Sequence, residues 1–303
     1  MLNFLAPLLP QPLRRRIAPN WQPRPVVAVV RLHGVIGTAV PLRGGIDLAS
    51  VAGALETAFS LRGVKAVALT INSPGGSPVQ SSLIFKRIRA LAEENSLPVY
   101  AFAEDVAASG GYMLACAADE IFADESSIVG SIGVVSAGFG FTGLIEKLGV
   151  ERRIHTAGES KAMLDPFRPE NPEDVKRLES LQADVHENFK ALVRARRGAR
   201  LAEPADTLFN GEFWAGQGAK ARGLIDDIGD LRSVMRARFG DKVRLRVVGA
   251  RRVWQWRGGF SGRGRSGMAE GFLARPGAVF AAGLAEGMIA AVESRSLWRR
   301  FGL

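Results

Sequence analysis

Cysteine is almost missing from this chain: Cys116 is the only one in 303 residues. That excludes a disulfide framework and any zinc or iron–sulfur site built from a cysteine cluster. Histidine is nearly as scarce, and His33, His155 and His186 show no metal-ligand spacing. No metal is expected, and each histidine reads first as a hydrogen-bonded or solvated structural residue. A P-loop signature, Gly-x-x-x-x-Gly-Lys-Ser/Thr, is absent, as are the Gly-x-Ser-x-Gly and Ser-x-x-Lys serine-hydrolase motifs at any of the eight lysines. No apolar run reaches the roughly 18–20 residues of a spanning helix. Residues 1–13 are apolar but contain three prolines and precede Arg14, Arg15 and Arg16, the reverse of a secretory signal. The expectation is a protein without signal peptide or spanning helix, cytoplasmic or peripheral on an inner membrane.

What the chain does have is apolar content, 47% of residues, and a net charge of +10 that is unevenly placed. Residues 1–31 carry five arginines and no acid, and residues 236–303 carry fourteen basic residues against four acids. The remaining middle is net −5. Four of the five tryptophans, among them Trp254, Trp256 and Trp298, also fall in the two basic ends. Cations interleaved with amphipathic aromatics suit an anionic lipid surface. The Gly/Arg run from Phe260 to Gly267 would also fit non-specific nucleic-acid contact, but no nucleic-acid module accompanies it. Peripheral membrane contact is therefore expected, and no specific nucleic acid.

From Val26 onward short β-branched runs alternate with helical stretches. Val26–Leu32, Val64–Ile71 and Val99–Ala103 read as strands, Leu48–Ser60 and Val79–Glu94 as helices. Near-continuous apolar strands separated by amphipathic helices imply a parallel sheet covered on both faces, an α/β fold. A long helix is expected at about Glu173–Arg196, acidic at its start and arginine-rich at its end. Two strands run into Gly-rich loops, Asn72-Ser73-Pro74-Gly75-Gly76 and Glu104-Asp105-Val106-Ala107-Ala108-Ser109-Gly110-Gly111. Ligands of open α/β sheets bind at such carboxyl ends.

Gly138-x-Gly140-x-x-Gly143 matches a dinucleotide pattern, but a lone match among 35 glycines deep in the chain is weak, and no cofactor is expected. Ser109 stands at a strand mouth and opens a helix of small residues. It reads either as a reactive hydroxyl among exposed N–H groups or as an N-cap serine without chemistry. The local sequence leaves both open.

A resemblance bears on that choice. Asn72-Ser73-Pro74-Gly75-Gly76, Ala108-Ser109-Gly110-Gly111-Tyr112, Gly130-Ser131-Ile132-Gly133-Val134, Gly158-Glu159-Ser160-Lys161 and Pro166-Phe167-Arg168-Pro169, with Gly223-Leu224-Ile225-Asp226-Asp227-Ile228-Gly229 at the end, together resemble the protease IV, or signal peptide peptidase A, family of serine peptidases. The resemblance implies a Clp protease/crotonase-like fold of ββα units. It places one peptidase domain at 26–235, between a basic apolar extension at 1–25 and a basic aromatic one at 236–303. It implies Ser109 as nucleophile, Lys161 as general base, Ser131 as the hydroxyl that steadies the lysine amine, and the N–H groups of Gly76 and Gly110 as oxyanion hole. Lysine serves as a base at neutral pH when burial disfavours its charged form. Ala157, Gly158, Ala162 and Met163 around Lys161 suggest such a dry setting.

The expected function is a serine endopeptidase acting on membrane-derived peptides or membrane-protein segments. Ala107, Ala108, Val134 and Val135 near the site suggest small apolar substrate side chains. A Ser-His-Asp arrangement is disfavoured because no histidine lies between Ser109 and Gly143, and His155 falls later in a strand-like run. Family members usually carry an N-terminal spanning helix, which is not seen here. Single-copy members assemble as rings that share Ser and Lys between subunits, so a homo-oligomeric ring such as an octamer is implied. The alternatives are a crotonase-like acyl-CoA enzyme and a non-catalytic membrane-associated scaffold.

Overall fold

In the computed structural model, residues 24–37, 45–202, 204–249 and 295–302 are described. Strand β1 (Val26–His33) leads through α1 (Leu48–Ser60) to β2 (Val64–Ser73), then through α2 (Pro78–Asn95) to β3 (Val99–Ala108). The short helix α3 (Gly110–Ala115) and strands β4 (Glu120–Ala123) and β5 (Ile128–Gly130) follow. An exposed arm holds α4 (Thr142–Lys147) and a 3₁₀ turn at Glu159–Ala162, before the long α5 (Pro172–Arg197). The chain continues through α6 (Ala205–Leu208), β6 (Phe213–Ala215), α7 (Gly216–Ala221), β7 (Asp227–Ile228), α8 (Leu231–Phe239) and β8 (Arg244–Val248).

The helices begin where local chemistry satisfies their first amides. Asp47 and Ser50 form a reciprocal capping box on α1, and Ser77 followed by Pro78 opens α2. Asn171 then Pro172 open α5, with Glu173 and Asp174 in its first turn and Arg194, Arg196 and Arg197 in its last, in line with the helix dipole. The strands order as β6-β5-β3-β2-β1-β8, with β4 and then β7 branching from β3. Every pairing is parallel except β5 with β6. The α/β class read from the sequence is the class observed.

Alternation along the strands divides the core. Ala28, Val30, Leu32, Val67, Leu69 and Ile71 face Leu55, Phe59, Ile84 and Ile88 of α1 and α2. Val27, Val29, Ala66, Ala68 and Phe102 face Met235 of α8 on the other side. Towards the carboxyl end of β3 a third cluster packs Val106 and Ala108 against Phe301.

Two expectations need correction. The domain boundary at 235 falls inside α8, and β8 joins the sheet beside β1 in parallel register, Val26 opposite Arg244 through Val30 opposite Val248. The arginines read as the start of a basic extension are in part those of an edge strand, Arg244 and Arg246 lying exposed, a usual way to keep an edge from pairing further. His155 lies in no strand. Residues 1–23 and 250–294, which carry most of the basic aromatic ends, lie outside the described residues. Among the described residues no helix is long and apolar enough to cross a membrane.

Arg197 ties α5 to the sheet. Its side chain is buried, donates to Asp226 at 2.7 Å and to the Gly223 carbonyl at 3.0 and 2.7 Å. Asp226 also accepts the Ile121 amide at 2.7 Å. Removing Arg197 leaves the Gly223 carbonyl without its donor and Asp226 with only the half-exposed Arg200, at 3.4 Å, as its cation, at a cost near the low end of about 3–5 kcal/mol. Arg197→Met is expected to lower the unfolding free energy by that amount in urea melts. Lys176→Ala, which breaks an exposed pair with Glu173, is expected to change it by less than about 1 kcal/mol.

Candidate active site

Ser109 occupies the turn from β3 into α3 with φ 52° and ψ −122°, a conformation non-glycine residues rarely adopt. The sequence has no Gly-x-Ser-x-Gly, yet the backbone makes the same kind of sharp strand-to-helix elbow that presents a nucleophile. Its side chain makes no capping bond to α3. The plain N-cap role left open by the sequence is therefore not the one adopted. The Ser109 amide donates to the Gly130 carbonyl at 2.8 Å and its carbonyl accepts from Met113 at 3.0 Å.

The Pro-Gly-Gly loop is pressed onto this elbow. A Cβ on Gly75 would lie 2.7 Å from the Ser109 Cβ and 2.9 Å from the Gly110 nitrogen. Gly76, at φ 139°, has the Ile36 carbonyl where a Cβ would go. Ile36 donates to the Gly75 carbonyl and accepts from the Ser77 amide, both at 2.8 Å. Since successive amides in an extended chain alternate sides, the N–H of Gly76 is turned away from Ile36. Gly110 opens α3, where first-turn amides lack helical partners. Neither amide has an acceptor among the described residues, so Gly76 and Gly110 together offer two unpaired N–H groups beside Ser109. The doubled glycines of both motifs signalled this contact. Gly75 and Gly111 were not singled out from sequence, yet a Cβ on Gly111 would lie 2.5 Å from the Ser73 carbonyl oxygen.

Helix α3 is anchored at its far end. Arg196 donates to the carbonyls of Cys116 and Ala118 at 2.9 and 2.8 Å, and Arg89 to that of Ala117 at 3.1 Å. The Tyr112 hydroxyl donates to the Leu224 carbonyl at 2.8 Å. Burial pushes the Cys116 thiol up to about 12 and holds the Tyr112 phenol well above its ordinary value. Both are neutral packing groups.

Ser131 is buried with φ 55°, directly after Gly130, whose carbonyl holds the Ser109 amide, and its own amide donates to Glu212 at 2.6 Å. The sheet thus brings Ser109, Ser131, Gly76 and Gly110 into one neighbourhood. Lys161 lies on the arm. It is exposed on the 3₁₀ turn of the arm, and its amine has no hydrogen bond or ion pair among the described residues. The dry setting expected for it is absent within one chain, because the small residues around it lie on a projecting arm.

That arm is closed at its base. Phe141 stacks on Phe167 of the Pro-Phe-Arg-Pro motif with ring centroids 5.4 Å apart, and its amide donates to the Pro166 carbonyl at 2.6 Å. Arg152 lies over Phe167 and pairs with Asp165 at 3.3 Å. Along the arm Val135, Phe139, Leu144, Leu148 and Val150 are exposed, Phe139 by 79%.

Ala107 and Ala108 are fully buried and cannot touch a substrate, which corrects their expected part in specificity; Val135 remains exposed. His33 bonds Thr70 and Glu104, each at 3.1 Å, and His186 bonds the Ile132 carbonyl at 3.1 Å, the structural roles expected. Gly138, Gly140 and Gly143 lie on the arm, and the strand before them ends at Gly130, so no strand-to-helix dinucleotide turn exists there. Among the described residues no cluster of His, Cys, Asp and Glu could hold a metal ion.

Residues 92–242 match the model of Peptidase family S49. The chain is 50% identical over 278 residues to a Brucella abortus protein called Na(+)/H(+) antiporter NhaA, a match covering 91% of this chain and 37% of that protein. It is 34% identical to a putative signal peptide peptidase SppA of Enterococcus faecium, over 55% of this chain and 48% of the relative. It is 38% identical to the chloroplastic serine protease SPPA of Arabidopsis thaliana, over 55% and 24%. The chain spans between about a quarter and a half of the length of these relatives.

The burial of Cys116 makes a direct prediction. With its thiol raised to about 12, the thiolate is scarce at pH 8, so the folded protein should not react with Ellman's reagent. One equivalent should appear on denaturation; prompt labelling of folded protein would contradict this account of α3.

Proposed function

The chain belongs to peptidase family S49, the serine peptidases of signal peptide peptidase A and protease IV, and from that premise we propose that it hydrolyses peptide bonds with Ser109 as nucleophile and Lys161 as base. The observation that carries this reading is the strained Ser109 elbow with the unpaired Gly76 and Gly110 amides beside it. The neutral lysine amine takes the Ser109 proton as Oγ attacks the carbonyl carbon, and the carbonyl oxygen becomes an oxyanion held by the two glycine amides. In a comparable enzyme one such donor is worth about 2.7–4 kcal/mol. The amine then returns the proton to the leaving nitrogen as the C–N bond breaks. Water, deprotonated by the same amine, attacks the acyl-serine and restores the hydroxyl. Ser131 steadies the lysine amine between these transfers.

Because Lys161 is exposed on an arm, we take the base from a neighbouring copy in a ring, for which the family resemblance suggests about eight chains. The exposed apolar side chains of the same arm support this: in an assembly they would be covered, and the amine would enter the dry environment that favours its neutral form. The substrates proposed are membrane-derived peptides or membrane-protein segments with small apolar side chains, reached by peripheral contact through the basic aromatic ends. The antiporter name of one relative belongs to a chain of which the match covers 37%, and no transport is assigned here.

A fluorophosphonate probe tests the chemistry. Ser109 should be labelled in the assembled protein, and labelling should vanish in Ser109→Ala and Lys161→Ala. An assembled wild type that stays unlabelled would favour the scaffold alternative. Ser109→Ala and Lys161→Ala chains, each inactive alone, should regain part of the activity in verified mixed rings; no recovery would place the pair within one chain. Wild type should float with anionic vesicles more than a protein lacking 1–25 and 250–303, and equal flotation would remove the membrane assignment.

A further inference from the structure

Strand β3 does not climb evenly beside β2. The two pair in register from Val67 opposite Val99 to Ile71 opposite Ala103, but the next partners are Ser73 and Ala107. Over that step β2 advances by two residues and β3 by four, so Glu104, Asp105 and Val106 form a bulge. Side chains from the neighbouring strands hold it. Asn72 accepts the Val106 amide on Oδ1 at 3.3 Å and donates from Nδ2 to the Asp105 carboxylate at 2.6 Å. His33 of β1 pairs with Glu104 at 3.1 Å.

The bulge decides where Ser109 ends up. In even register Asp105 would stand opposite Ser73, and Ser109 would lie two residues, roughly 6.6 Å, further along the sheet at a rise of about 3.3 Å per residue. That distance exceeds the reach of any hydrogen bond and would carry the hydroxyl past the Gly75–Gly76 loop. With the two extra residues, Ala107 and Ala108 resume pairing and Ser109 arrives against Gly75.

We infer that Asn72 and Asp105 are positioning residues that set the height of the nucleophile by splicing β3 back into the sheet two residues late. The Asn72 amide stands in for the ladder bonds that the bulge removes, and its carboxylate partner fixes which way the amide faces. The inference rests on the assignment of Ser109 as nucleophile for its catalytic half. The splice itself is independent of that assignment.

The test combines probe labelling of Ser109, peptide kinetics and amide hydrogen exchange across residues 104–109 in the assembled protein. Asn72→Ala should label about a hundredfold more slowly, the scale that misplacement of a reacting group by an ångström brings. Its KM should stay within about threefold, because the substrate-binding surface is untouched, and the 104–109 amides should lose protection. Asn72→Asp sets two carboxylates against each other and should be at least as impaired. The double exchange Asn72→Asp with Asp105→Asn restores both hydrogen bonds with donor and acceptor reversed across the pair, and should recover labelling and protection to within about tenfold. A folded Asn72→Ala that labels at the wild-type rate overturns the inference. So does a double exchange no better than Asn72→Asp, a comparison that still decides if Asn72→Ala does not fold. A wild type that never labels would instead overturn the peptidase reading, and the exchange data alone would then judge the splice.

Discussion

Gly75 lies so close to Ser109 that a methyl group on its α-carbon would come within 2.7 Å of the serine Cβ, and this backbone contact between two loops constrains much of the surrounding structure. It requires glycine at a positive φ on one side and a serine in a strained conformation on the other. Strain of that kind costs about 1–3 kcal/mol per residue and persists only where the surroundings over-determine it. Here they do so from several directions. Gly130 takes the Ser109 amide, Ile36 clamps the Pro-Gly-Gly loop from both flanks, and Arg89 and Arg196 hold the far end of the six-residue helix that follows.

Positive-φ residues other than glycine are few among those described: Ser96, Ser109, Ser131 and Leu164. Ser96 ends α2 in the left-handed cap that helices commonly use. The other three lie at the Ser109 elbow, on the strand exit beside it, and three residues after Lys161. Local strain therefore marks the same segments that the motifs mark, although neither observation depends on the other. It is also spread over both the sheet and the arm, and among the described residues no hydrogen bond joins Ser109 to Lys161.

The sheet was legible in the sequence because β-branched runs and helical periodicity act locally. Leu48 begins its helix, and Val26, Val64 and Val99 begin their strands, where expected. The glycine pairs were legible as a site because few other roles need two adjacent glycines after a strand. Long-range bonds were not legible. The cations at the end of α5 fitted its dipole, but Arg196 also caps the end of α3 and Arg197 is buried against Asp226. Strand β8 was hidden for the opposite reason: its arginines look like an extension until the partner strand is known. The bulge in β3 has no composition of its own, and only the pairing with β2 shows that two residues have been inserted.

The placement of Lys161 follows from the same difference between local and distant information. Its spacing from Ser109 along the chain says nothing of the path between them, and that path leaves the sheet after Ser131 for the arm that returns only at α5. An arm clasped at its base by Phe141, Phe167 and Arg152 but exposing Val135, Phe139, Leu148 and Val150 buries little apolar surface within its own chain. Several large apolar side chains exposed on one segment are what a contact surface presents. The small and apolar neighbours that made Lys161 look dry in sequence are present on the arm but lie open to solvent, so under the proposed assembly a covering surface would have to supply the low dielectric that a lysine base requires.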